Sequence, residues 1–504
     1  MRIPPAVSRR IGKPLLDLAE NLPPFSGGII QHLQHERKMQ RKYATQWQAQ
    51  AAPPEGTILR YRLFRLLELY TADEIGSAIA RIEKVIPPHW GNKDDISGID
   101  SPSFRSGGFK SLGLLSQKRP GKKFRSTPGS AYWSLPPQVS SVHLIAHQIL
   151  PAAYLVTADV RLTKAAEERF RALQAAEYLP QVTISSIQRI PPWFLGTGFT
   201  SPHVEQRKAI STWVNELHFQ TEAALEPFFR GHFSREKQRG IPSLPAIEVM
   251  TLEGAPTEDT EFAQWGDKAR MFFSSIGEEI FPYTAYKGDD KVVSIYSIIE
   301  ERRRTAWHVY LLGAPQANLS DIAEAEDFCS ALQPWTTLLS FSESLDRSLH
   351  RLQALAAQGR RDWGLLRYFR LYANLVDDYT LFSRLKGDIQ QLMKSSESKR
   401  LAAFTQVKPA GSREPEKLST ALDSSVKHYF KSLKTQAEAT MNSTKEYLGL
   451  RNMRLIYLLQ LAVLMISLCS AVLAYMAVRQ AARTGAGPTP AARGELPAAI
   501  RAHQ

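Results

Sequence analysis

Apolar residues recur at three- and four-residue steps from Ile58 to Val85, in ILRYRLFRLLELYTADEIGSAIARIEKV, with a break near Thr71. That period predicts a helical hairpin whose second helix is N-capped by Thr71, with Glu74 three residues on. The texture changes at Val139. VSSVHLIAHQI and AYLVTADVRL are β-rich runs joined by Leu150-Pro151-Ala152, and in the second Val156, Ala158, Val160 and Leu162 alternate with Thr157, Asp159 and Arg161. An antiparallel hairpin is expected there. Thr163 opens a helical pattern to Leu179, QVTISSIQRI returns to strand character, and Pro202 to Phe229 is helical again. AIEVMTL (246–252) and KVVSIYSIIEERRRTAWHVYLLGA (291–314) add strands. The fold class read from this order is α+β: a mixed or antiparallel sheet flanked by helices, over 139–315.

After Asn318 the pattern is helical almost throughout. Leu345, Leu349, Leu352 and Leu355 form one stripe, and Leu365, Phe369, Tyr372, Val376, Tyr379, Phe382, Leu385 and Ile389 form another, with Gly359 available for the bend. An antiparallel helical pair is expected over 316–393. A polar linker, 394–417, leads to a stalk helix, 418–454, whose seam is Leu422, Val426, Tyr429 and Leu433. That helix runs into Leu455–Val478, twenty-four residues without a charge. As a helix this run is roughly 36 Å long, against a hydrocarbon core of about 30 Å, which predicts a single C-terminal transmembrane helix. Tyr457 and Tyr475 fall near the two expected interfaces, and Arg451, Arg454, Arg479 and Arg483 flank the run.

Inside the span, Gln460, Ser467 and Ala474 recur every seven residues, with Ser470 and Ala471 beside them. One face is therefore thin and slightly polar. Helices in lipid associate through close packing and hydrogen bonds, so this face predicts a homo-oligomer joined through span and stalk.

Composition places the rest. The 504 residues are 43% apolar, ordinary for a folded chain of two or three domains, and carry a net charge of +14. Basic residues concentrate in 1–48, within 1–86 read as a basic N-terminal segment and the hairpin, and in 88–137, within 87–138 read as a Gly/Ser/Pro-rich loop or insertion. Lys118, Arg119, Lys122, Lys123 and Arg125 are candidate anion or membrane-surface contacts. No nucleic-acid module accompanies them, so the bilayer rather than nucleic acid is the expected partner. The tail, 479–504, is rich in Ala, Pro and Gly and is expected to be disordered. Two cysteines, Cys329 and Cys469, exclude a disulfide framework and a cysteine-built zinc site. Positive residues flank the span equally, and the first twenty-five residues make a poor export signal, so the bulk of the chain is expected to be cytoplasmic.

Local chemistry is sparse. His143 and His147 have the spacing of two helical metal ligands, but they lie in a β pattern without a following glutamate or a third ligand. Ser106-Gly-Gly-Phe-Lys110-Ser111 lacks the glycine before lysine that a phosphate loop needs. Glu278-Glu279, Asp289-Asp290 and Arg302-Arg303-Arg304 read as solvated turns and a basic loop, and Cys329 as a small buried residue. No cofactor is implied. The expected function is a membrane-anchored cytosolic binding, sensor or assembly protein, non-enzymatic, with an unknown protein or small-molecule ligand. Two alternatives are a channel or pore-forming effector with one span per subunit, and an anchored enzyme acting on lipid or nucleotide.

Overall fold

The computed structural model describes residues 56–86, 109–117, 129–150, 153–176, 181–188, 194–200, 202–235, 243–254, 283–286, 292–298, 306–312, 319–357, 365–392 and 417–483, with isolated positions between them. The first element corrects the expected helical hairpin. Ile58–Thr71 is a strand, β1, antiparallel to neighbours on both sides. Its apolar residues are buried at Leu59, Tyr61, Leu63, Phe64, Leu66, Leu67, Leu69 and Tyr70, so both faces are covered. A run apolar on both faces fits a period of 3.6 as well as a period of 2, and the two cannot be separated by spacing. The second helix of the expected hairpin does form, as α1 (Ala72–Glu83). The Glu74 carboxylate accepts the Thr71 backbone N–H at 3.1 Å, which is half of a capping box.

The segment read as a loop or insertion also carries strands, β2 (Phe109–Gln117) and β3 (Ser130–Trp133). One of its glycines, Gly113, has a structural role. It sits at a bulge with φ +118°, and a Cβ on it would meet the Gly129 carbonyl oxygen at 2.7 Å. β4 (Val139–Leu150) and β5 (Ala153–Leu162) form the expected hairpin, with Val142 opposite Val160 and Ile145 opposite Thr157. Thr163 caps α2 (Lys164–Ala175) by accepting the Ala166 N–H at 3.3 Å. β6 (Gln181–Gln188) and β7 (Phe194–Thr200) pair as a separate ribbon. Then come α3 (Pro202–Leu225), the one-turn α4 (His232–Arg235), β8 (Ala246–Glu253), β9 (Tyr283–Tyr286), β10 (Val292–Ile298) and β11 (Ala306–Leu312). α5 (Leu319–Ala357), α6 (Leu365–Leu392), β12 (Thr405–Gln406) and α7 (Leu418–Arg483) complete the chain.

The main sheet runs β12-β9-β10-β11-β8-β1-β5-β4-β2-β3. It is mixed: β8 with β11 and β2 with β3 are parallel. The sheet therefore begins at β1 rather than at 139, and β12 brings part of the expected polar linker into it. α2 and α3 cover one face, where Tyr61 lies 5.3 Å from Phe170 and Phe64 stacks on His218 at 4.1 Å between ring centres. α5 crosses the other face over β1, β4, β8 and β11.

α7 is continuous for 66 residues, about 99 Å, and passes through Gly449 without a break. Its first part packs on its own chain. Leu422, Val426 and Leu433 of the expected seam are buried, but Tyr429 is 43% exposed and Phe430 takes its place, stacked on Phe382 of α6 at 4.5 Å. The stripe advances by four residues twice before its step of three, which moves it one position beyond the expected one. Gln353 of α5 donates to Thr440 at 2.9 Å and Tyr379 of α6 to Glu438 at 3.2 Å. The stalk's apolar face is thus covered within the chain rather than left for another copy. The second part differs: Leu459–Ala477, 19 residues of mean hydropathy 2.1, is long and apolar enough to cross a membrane, and none of it is buried.

This register is testable in a pair of variants. Phe430→Ala is expected to lower stability by about 3 kcal/mol through loss of buried aromatic area, and Tyr429→Ala by less than about 0.5 kcal/mol, read from chemical denaturation of each purified protein.

Candidate functional site

Strand β1 buries two charges in the middle of an apolar run. Arg65 and Asp159 are directly opposite one another on β1 and β5, at 2% and 3% exposure. The guanidinium donates to both carboxylate oxygens, Nη2 to Oδ2 at 2.7 Å and Nε to Oδ1, and its Nη1 reaches Ser330 of α5 at 3.1 Å. The row continues across the sheet. His143 on β4 is the cross-strand partner of Asp159, and its Nε2 lies 2.8 Å from the Ser111 hydroxyl on β2. Residues directly opposite one another share a face, so Arg65, Asp159 and His143 form one polar line on the face that α5 covers. His147, four residues along β4, is on that face too. Burial first, and the positive Arg65 next, hold its pKa down to about 4.

A second node lies three residues further along β1. The buried Glu68 carboxylate accepts backbone N–H groups from Leu69 at 3.1 Å, Phe233 at 2.8 Å and Ser234 at 3.0 Å. It thereby fixes the start of α4 to the sheet. Burial raises the pKa of Glu68, against the lowering effect of its donors and of His232. Gly231 makes the approach feasible, because a Cβ there would meet the Leu69 carbonyl at 2.3 Å. His232 then links the helices: Nε2 lies 3.1 Å from Ser344 of α5, and Nδ1 3.3 Å from Asp378 of α6. Beside α4 is a cleft of about 290 Å³ lined by the polar Glu222, Glu226, Arg230, Ser234, Arg235 and Ser243 and by Phe229 and Leu244. Buried Glu222 is engaged by the Ser243 and Leu244 N–H groups at 2.8 and 3.0 Å.

Ser111, His143 and Asp159 have the residue types of a hydrolytic triad, but Asp159 is engaged by Arg65 on both oxygens. The row consequently reads as an ion pair with a polar extension to β2. Among the described residues, no group of three or more His, Cys, Asp or Glu side chains could hold a metal ion. His143 and His147 are on a strand, and Cys329 is buried and forms no disulfide. Gln460, Ser467, Ser470, Ala471 and Ala474 are exposed on α7, where the two serines return their hydroxyls to the Val463 and Ile466 carbonyls at 2.9 Å. Lys118, Arg119, Lys122, Lys123 and Arg125 lie outside the described residues, as do the 278–279, 289–290 and 302–304 clusters. No protein-family model matches the sequence, and no curated protein matches it.

The sequence reading overlooked Arg65, Glu68 and His232. Read as a helix, 58–71 places Arg65 and Glu68 on a wet face, where charge is unremarkable. The signal was available in Asp159, a lone acid inside an alternating strand.

His147 gives a pH prediction. A folded-state pKa of about 4 against an ordinary value of 6.5 means that the unfolded chain takes up the proton more readily. Its contribution is present above about pH 6.5 and is lost as pH falls towards 4, by up to about 3 kcal/mol. His147→Gln should flatten that loss in denaturation midpoints measured from pH 7 to pH 4.

Proposed function

We propose that this chain is a membrane-anchored binding or assembly protein, acting without catalysis, whose α+β body stands on the cytoplasmic side of the bilayer. The observation that carries the reading is the contrast along α7. One helix has a stripe buried against its own chain up to Ala437 and Thr440, then a fully exposed apolar segment from Leu459 to Ala477. An exposed apolar surface of this extent in water is an interaction surface, and nineteen helical residues span about 28 Å, close to a hydrocarbon core. The absence of a disulfide between the chain's two cysteines fits a reducing compartment for the body. The cleft beside α4, with both signs of charge and two serines, is where a small polar ligand or a partner's side chain would engage.

Assembly follows from the span. Gln460 brings an amide into an apolar segment, and in hydrocarbon that amide needs a hydrogen-bonding partner. In a parallel pair of copies the two Gln460 side chains meet at the same depth, with Ser467, Ala471 and Ala474 allowing close approach above them.

In membranes from cells expressing the full chain, alkaline carbonate should leave the protein in the pellet. Release into the supernatant would refute the anchor. Protease added to right-side-out vesicles should spare the body, and digestion would reverse the orientation. Crosslinking in native membranes should give oligomers that weaken severalfold in the Gln460→Leu, Ser467→Ile, Ala471→Ile variant, and an unchanged yield would remove the span interface.

A further inference from the structure

Among the described residues, the burial of α7 against the body ends at Thr440, which accepts from Gln353 of α5 at 2.9 Å, and at the partly covered Met441. Beyond them the helix runs on without cover. The described side chains Asn442, Ser443, Lys445, Glu446, Met453 and Ile456 are all exposed, and the apolar segment begins at Leu459. The helical distance from Thr440 to Leu459 is roughly 28 Å.

A helix in water without a packed face is held by its own hydrogen bonds, local propensity and side-chain pairs, and over short lengths these are marginal. The residues 442–452, NSTKEYLGLRN, are poor in all three respects. Asn442, Ser443, Thr444 and Asn452 are weak helix formers, Gly449 is weaker still, and the stretch has no alanine. Ser443 returns its hydroxyl to the Thr440 carbonyl at 3.0 Å, a local bond that bends and slightly weakens a helix. One turn earlier Lys434 and Glu438 pair at 3.7 Å, whereas 442–454 has no opposite charges three or four residues apart. Gly449 stands near the middle of the uncovered stretch. A Cβ there would meet nothing within 4 Å, so no close approach calls for glycine. At an open helical position its effect is to make the helix easier to open.

We propose that 442–454 is a joint centred on Gly449: the helix opens and bends there, and the body turns as a unit on the C-terminal segment instead of standing on a rigid rod. The joint goes beyond the anchored reading and does not depend on it, because the weakness lies in the water-exposed stretch whatever surrounds Leu459–Ala477. Where that segment sits in a bilayer and pairs with a second copy, the joint lets each body address its partners independently of the symmetry of the pair.

The test is hydrogen–deuterium exchange of the full chain in detergent, comparing amides of 443–453 with those of the packed stretch 425–437. The first set is expected to exchange at least about a hundredfold faster under native conditions. Gly449→Ala should slow exchange around the joint about fivefold, the ratio expected from the helix propensities of the two residues, and leave 425–437 unchanged. Bending is read separately from spin labels at Lys431→Cys and Ile456→Cys in a Cys329→Ser, Cys469→Ser background, diluted with unlabelled chain. A straight helix places these positions about 38 Å apart. The joint predicts a broad distribution reaching shorter distances, narrowed by Gly449→Ala. If the cysteine-free background does not fold, the exchange comparison decides alone. Exchange of 443–453 within about threefold of 425–437, exchange indifferent to Gly449→Ala, or a single narrow distance near 38 Å would each overturn the proposal. Carbonate extraction reads anchorage independently, so a rigid helix in a protein that stays in the pellet removes the joint alone.

Discussion

A guanidinium moved from water into the middle of a strand costs several kcal/mol unless its charge and its donors are met, and Arg65 on β1 imposes that demand on everything around it. Asp159 answers the charge from the neighbouring strand, in exact cross-strand register. One of the remaining donors, on Nη1, points off the sheet and is met by Ser330, which requires a helix with a polar side at that height. α5 is such a helix. Its polar stripe lies on the sheet, so its leucines turn outward, and the stalk portion of α7 covers them. The buried ion pair thereby sets which side of α5 is available to the stalk, and the stalk carries the exposed apolar segment.

A second anchoring point uses different chemistry. Glu68 fixes a one-turn helix by accepting its N–H groups, and His232 within that turn reaches both helices of the α5–α6 pair. The body is consequently joined to its helices through hydrogen-bonded charges at two places along one strand. Apolar packing dominates between the helices themselves, as in the Phe382–Phe430 stack.

Much of this order was legible in the sequence, and the failures have physical causes. The β4–β5 hairpin, the caps at Thr71 and Thr163, the long C-terminal helices and the apolar segment follow from period, capping chemistry and length. β1 was misread because Leu, Phe and Tyr at nearly every position satisfy both periods once both faces are covered. β2 is obscured in the sequence by Gly113, which serves a bulge rather than a loop. Phe430 rather than Tyr429 completes the seam because a four-residue stripe drifts around a helix. The polar nodes were the least visible, since Arg65, Glu68 and His232 gain meaning only when strands and helices far apart in sequence are brought together.

The account rests on Arg65 and Asp159 forming one buried, coupled unit, and a double-mutant cycle in stability tests that directly. Arg65→Met alone and Asp159→Leu alone each leave an uncompensated buried charge and should each cost about 3–5 kcal/mol. The double variant, which buries no charge, should be more stable than either single one, a strongly non-additive result. Additive losses, or single-variant losses below about 1 kcal/mol, would contradict the claim that this pair sets the arrangement of sheet, α5 and stalk.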